Sequence, residues 1–151
     1  MAPKRSTDGW QIVTHVSIGP VKFGMSRAEV AKAIGSKADP KKSVAAGVEN
    51  KAPMDVFKVG ASVVHVYYTA EERAEYVEIV AEGLGGPELD GRGFLNRPYD
   101  RALAWAKERD PNLISDGTGL RSDRLGLGLY VENPDEKIKG IGAAAPNYWS
   151  K

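Results

Sequence analysis

The chain has no cysteine, which excludes disulfides, thiolate nucleophiles, iron–sulfur clusters and every cysteine-based zinc site. It has two histidines, His15 and His65, too few for a three-histidine metal centre and poor material for a Ser-His-Asp triad. No run approaches the roughly 18 apolar residues of a membrane-spanning helix, and Met1 to Asp8 lacks the apolar stretch of a secretory signal, so a cytoplasmic address is the expectation. Excess charge is missing as well. Lys and Arg number 21 against 20 Asp and Glu, so no global field attracts nucleic acid or an anionic membrane. Neither partner is expected, and no metal or other cofactor is implied.

What is present suits one globular domain: 151 residues, 42% hydrophobic and 27% charged. Residues 1–8 read as a solvated arm and 9–151 as a single α+β domain. A first strand is predicted near 10–18 from the spacing of Trp10, Ile12, Val16 and Ile18. Ser26 with Glu29 three residues on forms a capping box for a helix from Arg27 to about Ile34, stopped by Gly35. Residues 36–52, rich in Lys, Ala and Ser, predict a long loop. Met54–Val59, Ser62–Tyr68 and Ala74–Glu82 read as an antiparallel meander, with 69–73 as a hairpin connection. Gly83 to Pro87 is a linker signal, and a short strand near 89–94 precedes a second helix over about 98–109. Strands follow at 125–131 and 137–144, joined by a turn over 132–136. The predicted fold is an antiparallel sheet with two helices on one face. Helix starts near 26 and 98, with meanders from 62 and 125, fit either a tandem strand–helix–meander repeat, 9–82 and 88–145, or one continuous sheet.

The segment Phe23-Gly24-Met25-Ser26-Arg27-Ala28-Glu29-Val30 resembles a signature of the SmpA/OmlA outer-membrane assembly lipoproteins and of the β-lactamase inhibitory proteins. That resemblance implies a helical element packed across an antiparallel sheet, and in the inhibitory proteins this unit occurs twice. The chain departs from both families: it lacks the cysteines of the inhibitors and the lipid-bearing cysteine of the lipoproteins. Its layout is also similar to that of bacterial immunity proteins, the partners of secreted toxins.

Catalytic residues are not identified. Glu71, Glu72, Glu75 and Glu78 lack the spacing of a calcium loop and read as a solvated hairpin. The glycines at 126, 128, 140 and 142 lack the pattern of a dinucleotide site and read as strand glycines, and Gly126 and Gly128 are expected to leave room for another chain or a crossing helix. Arg92, Arg97, Arg101, Arg121 and Arg124 are expected to be neutralised by Asp90, Asp100, Asp110 and Asp123. Strand alternation turns Val64, Val66, Val77, Ile79, Leu127 and Leu129 inward, so the opposite face displays His65, Tyr67, Tyr76, Glu78 and Tyr130. Tyrosine suits protein interfaces, so these five residues are the candidate partner-binding surface. The aromatic tail, Tyr148 and Trp149, either closes the core or extends that surface. The leading expectation is an immunity protein that occludes the active site of a cognate toxin; the alternative is a small-molecule-binding or enzymatic domain using a cleft near His65.

Overall fold

The computed structural model describes residues 6–81, 85–133 and 136–150. A small sheet of β1 (Ile12–Val13), β2 (Ser17–Ile18) and β3 (Val21–Lys22) leads into α1 (Arg27–Ile34). Then come β4 (Met54–Val59), β5 (Ser62–Tyr68) and β6 (Ala74–Ala81). A hairpin of β7 (Gly85–Leu89) and β8 (Arg92–Leu95) leads into α2 (Tyr99–Arg109), and β9 (Ile114–Asp116), β10 (Gly119–Ser122), β11 (Leu127–Tyr130) and β12 (Gly140–Ala144) complete the chain before a short 3-10 turn at Tyr148–Ser150. The large sheet is antiparallel throughout, in the order β4-β5-β6-β12-β11-β10-β9. Small hairpin, helix and meander thus occur in the same order twice, and the two meanders join where the last strand of one, β6, pairs with the last strand of the other, β12.

The fold is α+β as expected, and its core lies on one sheet face. Val64 and Val66 of β5, Val77 and Ile79 of β6, Leu127 and Leu129 of β11 and Ile141 of β12 are all buried there. They form one cluster with Val30 and Ile34 of α1 and with Ala102 and Ala106 of α2. Fully burying an aliphatic side chain is worth about 1.5–3 kcal/mol, so alternation along these strands determines which face the helices cover. The signals for α1 act as read. Ser26 accepts from the Glu29 backbone, the Glu29 side chain accepts from the Ser26 backbone, and Gly35 closes the helix with a φ of 81°. Met25 packs against the core beside them.

Several elements differ from the sequence reading. The strand expected at 10–18 is broken into two-residue pieces because the chain reverses at His15, whose φ is 63°. The strand expected near 89–94 is a hairpin: Asp90 and Gly91 both take positive φ, the conformation of a tight turn matched to strand twist. Within the expected linker at 83–87, residues 82–84 lie outside the described residues, while Gly85 to Pro87 belong to β7. Strands β9 and β10 were not anticipated, since their residues are short, polar and glycine-rich; the Asp116-Gly117 pair between them was the available signal. The turn at 132–136 includes Pro134 and Asp135, which lie outside the described residues. Thr7 of the expected arm is buried and shares a 2.9 Å hydrogen bond with Ser62, and Asp8 accepts from the Gly86 backbone at 2.8 Å.

The expected loop at 36–52 is tied to β4, which needs partners because it is an edge strand. The Asp39 backbone donates to Val56, and Val44 exchanges hydrogen bonds with Met54. Arg27 anchors this arrangement. Its guanidinium donates to the carbonyls of Val44 and Met54, stands 2.9 Å from Glu72 and 3.7 Å from Asp55, and lies over the Tyr68 ring. Glu72 therefore belongs to an ionic knot rather than to a solvated hairpin. Tyr68 donates to Asp55 at 2.9 Å, and burial followed by the Asp55 hydrogen bond drives its phenol far above the ordinary range.

Removing Arg27 would leave Asp55, itself 7% exposed, without its cation. We expect Arg27→Ala to cost about 2–3 kcal/mol, read as a lower urea midpoint with an unchanged slope, and Arg27→Lys to recover only part of it because the planar fork is lost.

Candidate binding face

The sheet face opposite the helices carries the five residues singled out from the sequence. His65 and Tyr67 on β5 stand directly across from Glu78 and Tyr76 on β6. Tyr130 lies two strands further on, in β11, and faces Gly140 of β12. Between the two tyrosine-bearing strands, β12 presents Gly140, Gly142 and Ala144, and β11 adds Gly128 opposite Gly142.

This near-absence of side chains draws the cluster together. The Tyr76 hydroxyl reaches across the position where a Cβ on Gly142 would sit and hydrogen-bonds the Tyr130 hydroxyl. Tyr130 Oη lies 2.9 Å from the place of a Cβ on Gly128. Gly128 and Gly142 therefore make room for the chain's own aromatic rings, while the space beside Gly126 is taken by His15 and the Ala144 carbonyl.

The tail closes over the same face. Ala145 donates from its backbone to Glu75, and the 3-10 turn lays the Tyr148 ring flat on Tyr76, with centroids 4.7 Å apart and planes 3° from parallel. Trp149 meets Tyr76 edge-on at 5.9 Å, and its ring lies 3.4 Å from where a Cβ on Gly128 would stand. Tyr67 leans on Tyr76 from the other side at 5.8 Å. Consequently Tyr76, expected on the open surface, is only 4% exposed. It is the keystone of the aromatic cluster, while His65, Tyr67, Glu78 and Tyr130 remain partly accessible. The choice left open for the tail resolves as packing onto the outer face rather than into the helix-covered core.

The surroundings set the chemistry. Burial raises the phenols of Tyr67, Tyr76 and Tyr130, and Tyr148 is pushed up to about 12, first by burial and then by Glu75. All stay protonated at neutral pH and act as hydroxyl donors and acceptors. Burial also raises the Glu78 carboxyl, opposed by the charge of His65. His65 Nδ1 is buried without a hydrogen-bond partner. Among the described residues no group of three or more His, Asp or Glu could hold a metal ion.

Around the cluster the face remains apolar at its margins. Val80 of β6 is 38% exposed and Ile114 of β9 is 55% exposed. A shallow hollow of about 250 Å³ runs between Ile114, Arg121, Tyr130 and Trp149. These last contributors, Ile114 and Arg121, escaped the sequence reading because β9 and β10 were not foreseen.

The chain matches no family model, no curated protein and no solved structure. No helix among the described residues is long and apolar enough to cross a membrane.

Two measurements check this geometry. Gly142→Ala places a methyl against the Tyr76 hydroxyl, and overpacking there should cost about 1–3 kcal/mol and expose tyrosine in near-ultraviolet circular dichroism. For Glu78 the sign is fixed by the raised carboxyl: the folded state favours the neutral form, so its contribution is present at low pH and is lost as pH rises through the folded-state value. Glu78→Gln is therefore expected to be more stable than the parent at neutral pH, with the gap closing as pH falls through the ordinary carboxylate range in a series of thermal melts.

Proposed function

We propose that this chain is a protein-binding inhibitor of the immunity type, acting in the bacterial cytoplasm by laying the outer face of its large sheet over the active site of a cognate toxin. The observation that carries the reading is the helix-free face itself, with aromatic rings already stacked and hydrogen-bonded in place and with exposed apolar side chains at its margins. Interface anchors of this kind are aromatic groups held rigid before contact, since little side-chain entropy remains to be lost on binding. Tyr67, Tyr130 and Trp149 supply large contact area, and His65, Glu78 and Arg121 supply polar contacts among them. The protonated phenols suit a partner rich in backbone and side-chain hydrogen-bonding groups. The motif at Phe23 to Val30 and the twice-occurring order of hairpin, helix and meander support the same reading through their likeness to inhibitory proteins.

A second reading rests on one observation, the unpartnered Nδ1 of His65 beside the raised carboxyl of Glu78. A small polar ligand donating to that nitrogen would satisfy it, which makes the region near His65 a small-molecule site.

Co-expression with the product of an adjacent toxin gene separates the two. Under the inhibitor reading, the wild-type chain forms a one-to-one complex and rescues growth. Arg121→Glu and Ile114→Glu, both at exposed positions, each weaken the complex by about tenfold or more while the melting profile stays close to that of the parent. Rescue that survives both substitutions overturns the inhibitor reading. Loss of a bound metabolite on His65→Ala, detected by native mass spectrometry, would favour the second.

A further inference from the structure

A second feature lies away from the tyrosine face, at the junction of β8 and α2. Arg92 of β8 and Arg97 of the following turn line a concavity of about 390 Å³ together with Asp90, Gly91, Gly93 and Trp105. Arg92 and Arg97 also line an adjoining recess of about 110 Å³, where Arg101 and Pro98 at the start of α2 complete the wall. Arg92 and Arg97 thus border both parts of this hollow and Arg101 its smaller recess, in a chain whose net charge is only +1.

Of the carboxylates expected to neutralise them, Asp90 lines the larger concavity itself, and no ion pair among the described residues joins it to an arginine. Asp110 turns inward and accepts from Ser122 Oγ at 2.6 Å, and Asp100 accepts from the Arg101 backbone at 2.8 Å. Among the described residues, the ion pairs join Arg27 to Asp55 and Glu72, Arg73 to Glu29, and Arg109 to Glu108. Arg92, Arg97 and Arg101 take part in none of them.

We propose that this hollow binds a phosphate group carried on a small molecule. Like charges gathered in one concavity repel one another, and an anion seated among them removes that penalty while gaining charge-assisted hydrogen bonds. All three cations are arginines, whose planar forks match the oxygens of a phosphate. Three donors from three positions along the chain suit a tetrahedral oxyanion better than the two oxygens of a carboxylate. Arg92 is held in place beforehand: its guanidinium lies 5.7 Å from the Trp105 ring centre, and that ring is braced edge-on by Phe94 at 5.4 Å and capped by Arg109 at 4.1 Å. Gly91 leaves the backbone of the hairpin open on one side, since a Cβ there would meet nothing within 4 Å. Pro98 supplies no capping oxygen to α2, so the positive end of the helix adds to the same field. The hollow exceeds the size of a free phosphate, which is why the ligand is placed on a larger molecule, with the exposed part of Trp105 beside its organic portion.

The test uses the full chain, labelled with ¹⁵N and titrated at constant ionic strength with pyrophosphate and separately with inorganic phosphate. Saturable shifts are expected at the amides of Gly91, Gly93 and Arg101, with pyrophosphate the tighter of the two. The double variant Arg97→Glu/Arg101→Glu changes two exposed side chains, so it is expected to fold with an unchanged spectrum elsewhere and to bind pyrophosphate about tenfold more weakly or worse. Arg101→Lys keeps the charge but not the fork and should fall between. No saturable shift, shifts that follow the lysines of 37–42 instead, or shifts unaltered in the double variant would each overturn the proposal. An acidic peptide that binds where pyrophosphate does not would overturn it as well.

Discussion

The rest of the molecule hangs on one strand with almost no side chains. β12 reads Gly-Ile-Gly-Ala-Ala, and it is the strand through which the two meanders become one sheet. Its inward residues, Ile141 and Ala143, join the helix-covered core, so pairing with β6 makes a single core from two. Its outward residues, Gly140, Gly142 and Ala144, leave a trough in which rings from β6 and β11 lie flat. A larger residue at Gly142 would stand where the Tyr76 hydroxyl now sits. Without the trough, Tyr76 and Tyr130 could not meet, and the tail would lose the ring on which Tyr148 stacks.

The two faces are stabilised by different physics. On the helix side, area removed from water dominates, through valine, isoleucine and leucine that make no demand for hydrogen bonds. On the other side, rings pack at 4.7–5.9 Å in stacked, tilted and edge-on pairs, and their hydroxyls must be satisfied because a buried phenol without a partner is costly. The Arg27 knot is a third device. It ties α1, the β5–β6 turn and the loop before β4 through charged hydrogen bonds, and so holds the otherwise exposed edge of the sheet. These separate supports leave a rigid, partly apolar face free of helices, the surface on which the proposed inhibitor role depends.

The sequence was most legible where local chemistry is self-sufficient. The Ser26–Glu29 box and the Gly35 stop lie within one helical turn of what they cap, so their spacing alone identifies α1. Alternation in β5, β6 and β11 separated inward from outward residues correctly, because a period of two leaves no other way to bury Val64, Val66 and Ile79 together. Legibility failed where elements are short. β9 and β10 are held by pairing with β11 rather than by their own composition, and the hairpin of β7 and β8 depends on two left-handed residues at Asp90 and Gly91.

By itself, then, the amino-acid sequence determined the α+β class, the helix with its caps and the side chains that β5, β6 and β11 turn to each sheet face, since these follow from periodicity and from contacts between near neighbours. Tertiary structure alone decided that Tyr76 is buried, that Tyr148 and Trp149 cover it, and that Glu72 answers Arg27. It also decided that Arg92, Arg97 and Arg101 gather at the junction of β8 and α2 without an ion pair among the described residues. Each of these depends on groups far apart in the chain, and only the pairing of β6 with β12 and the packing of α2 on its hairpin bring such groups within reach.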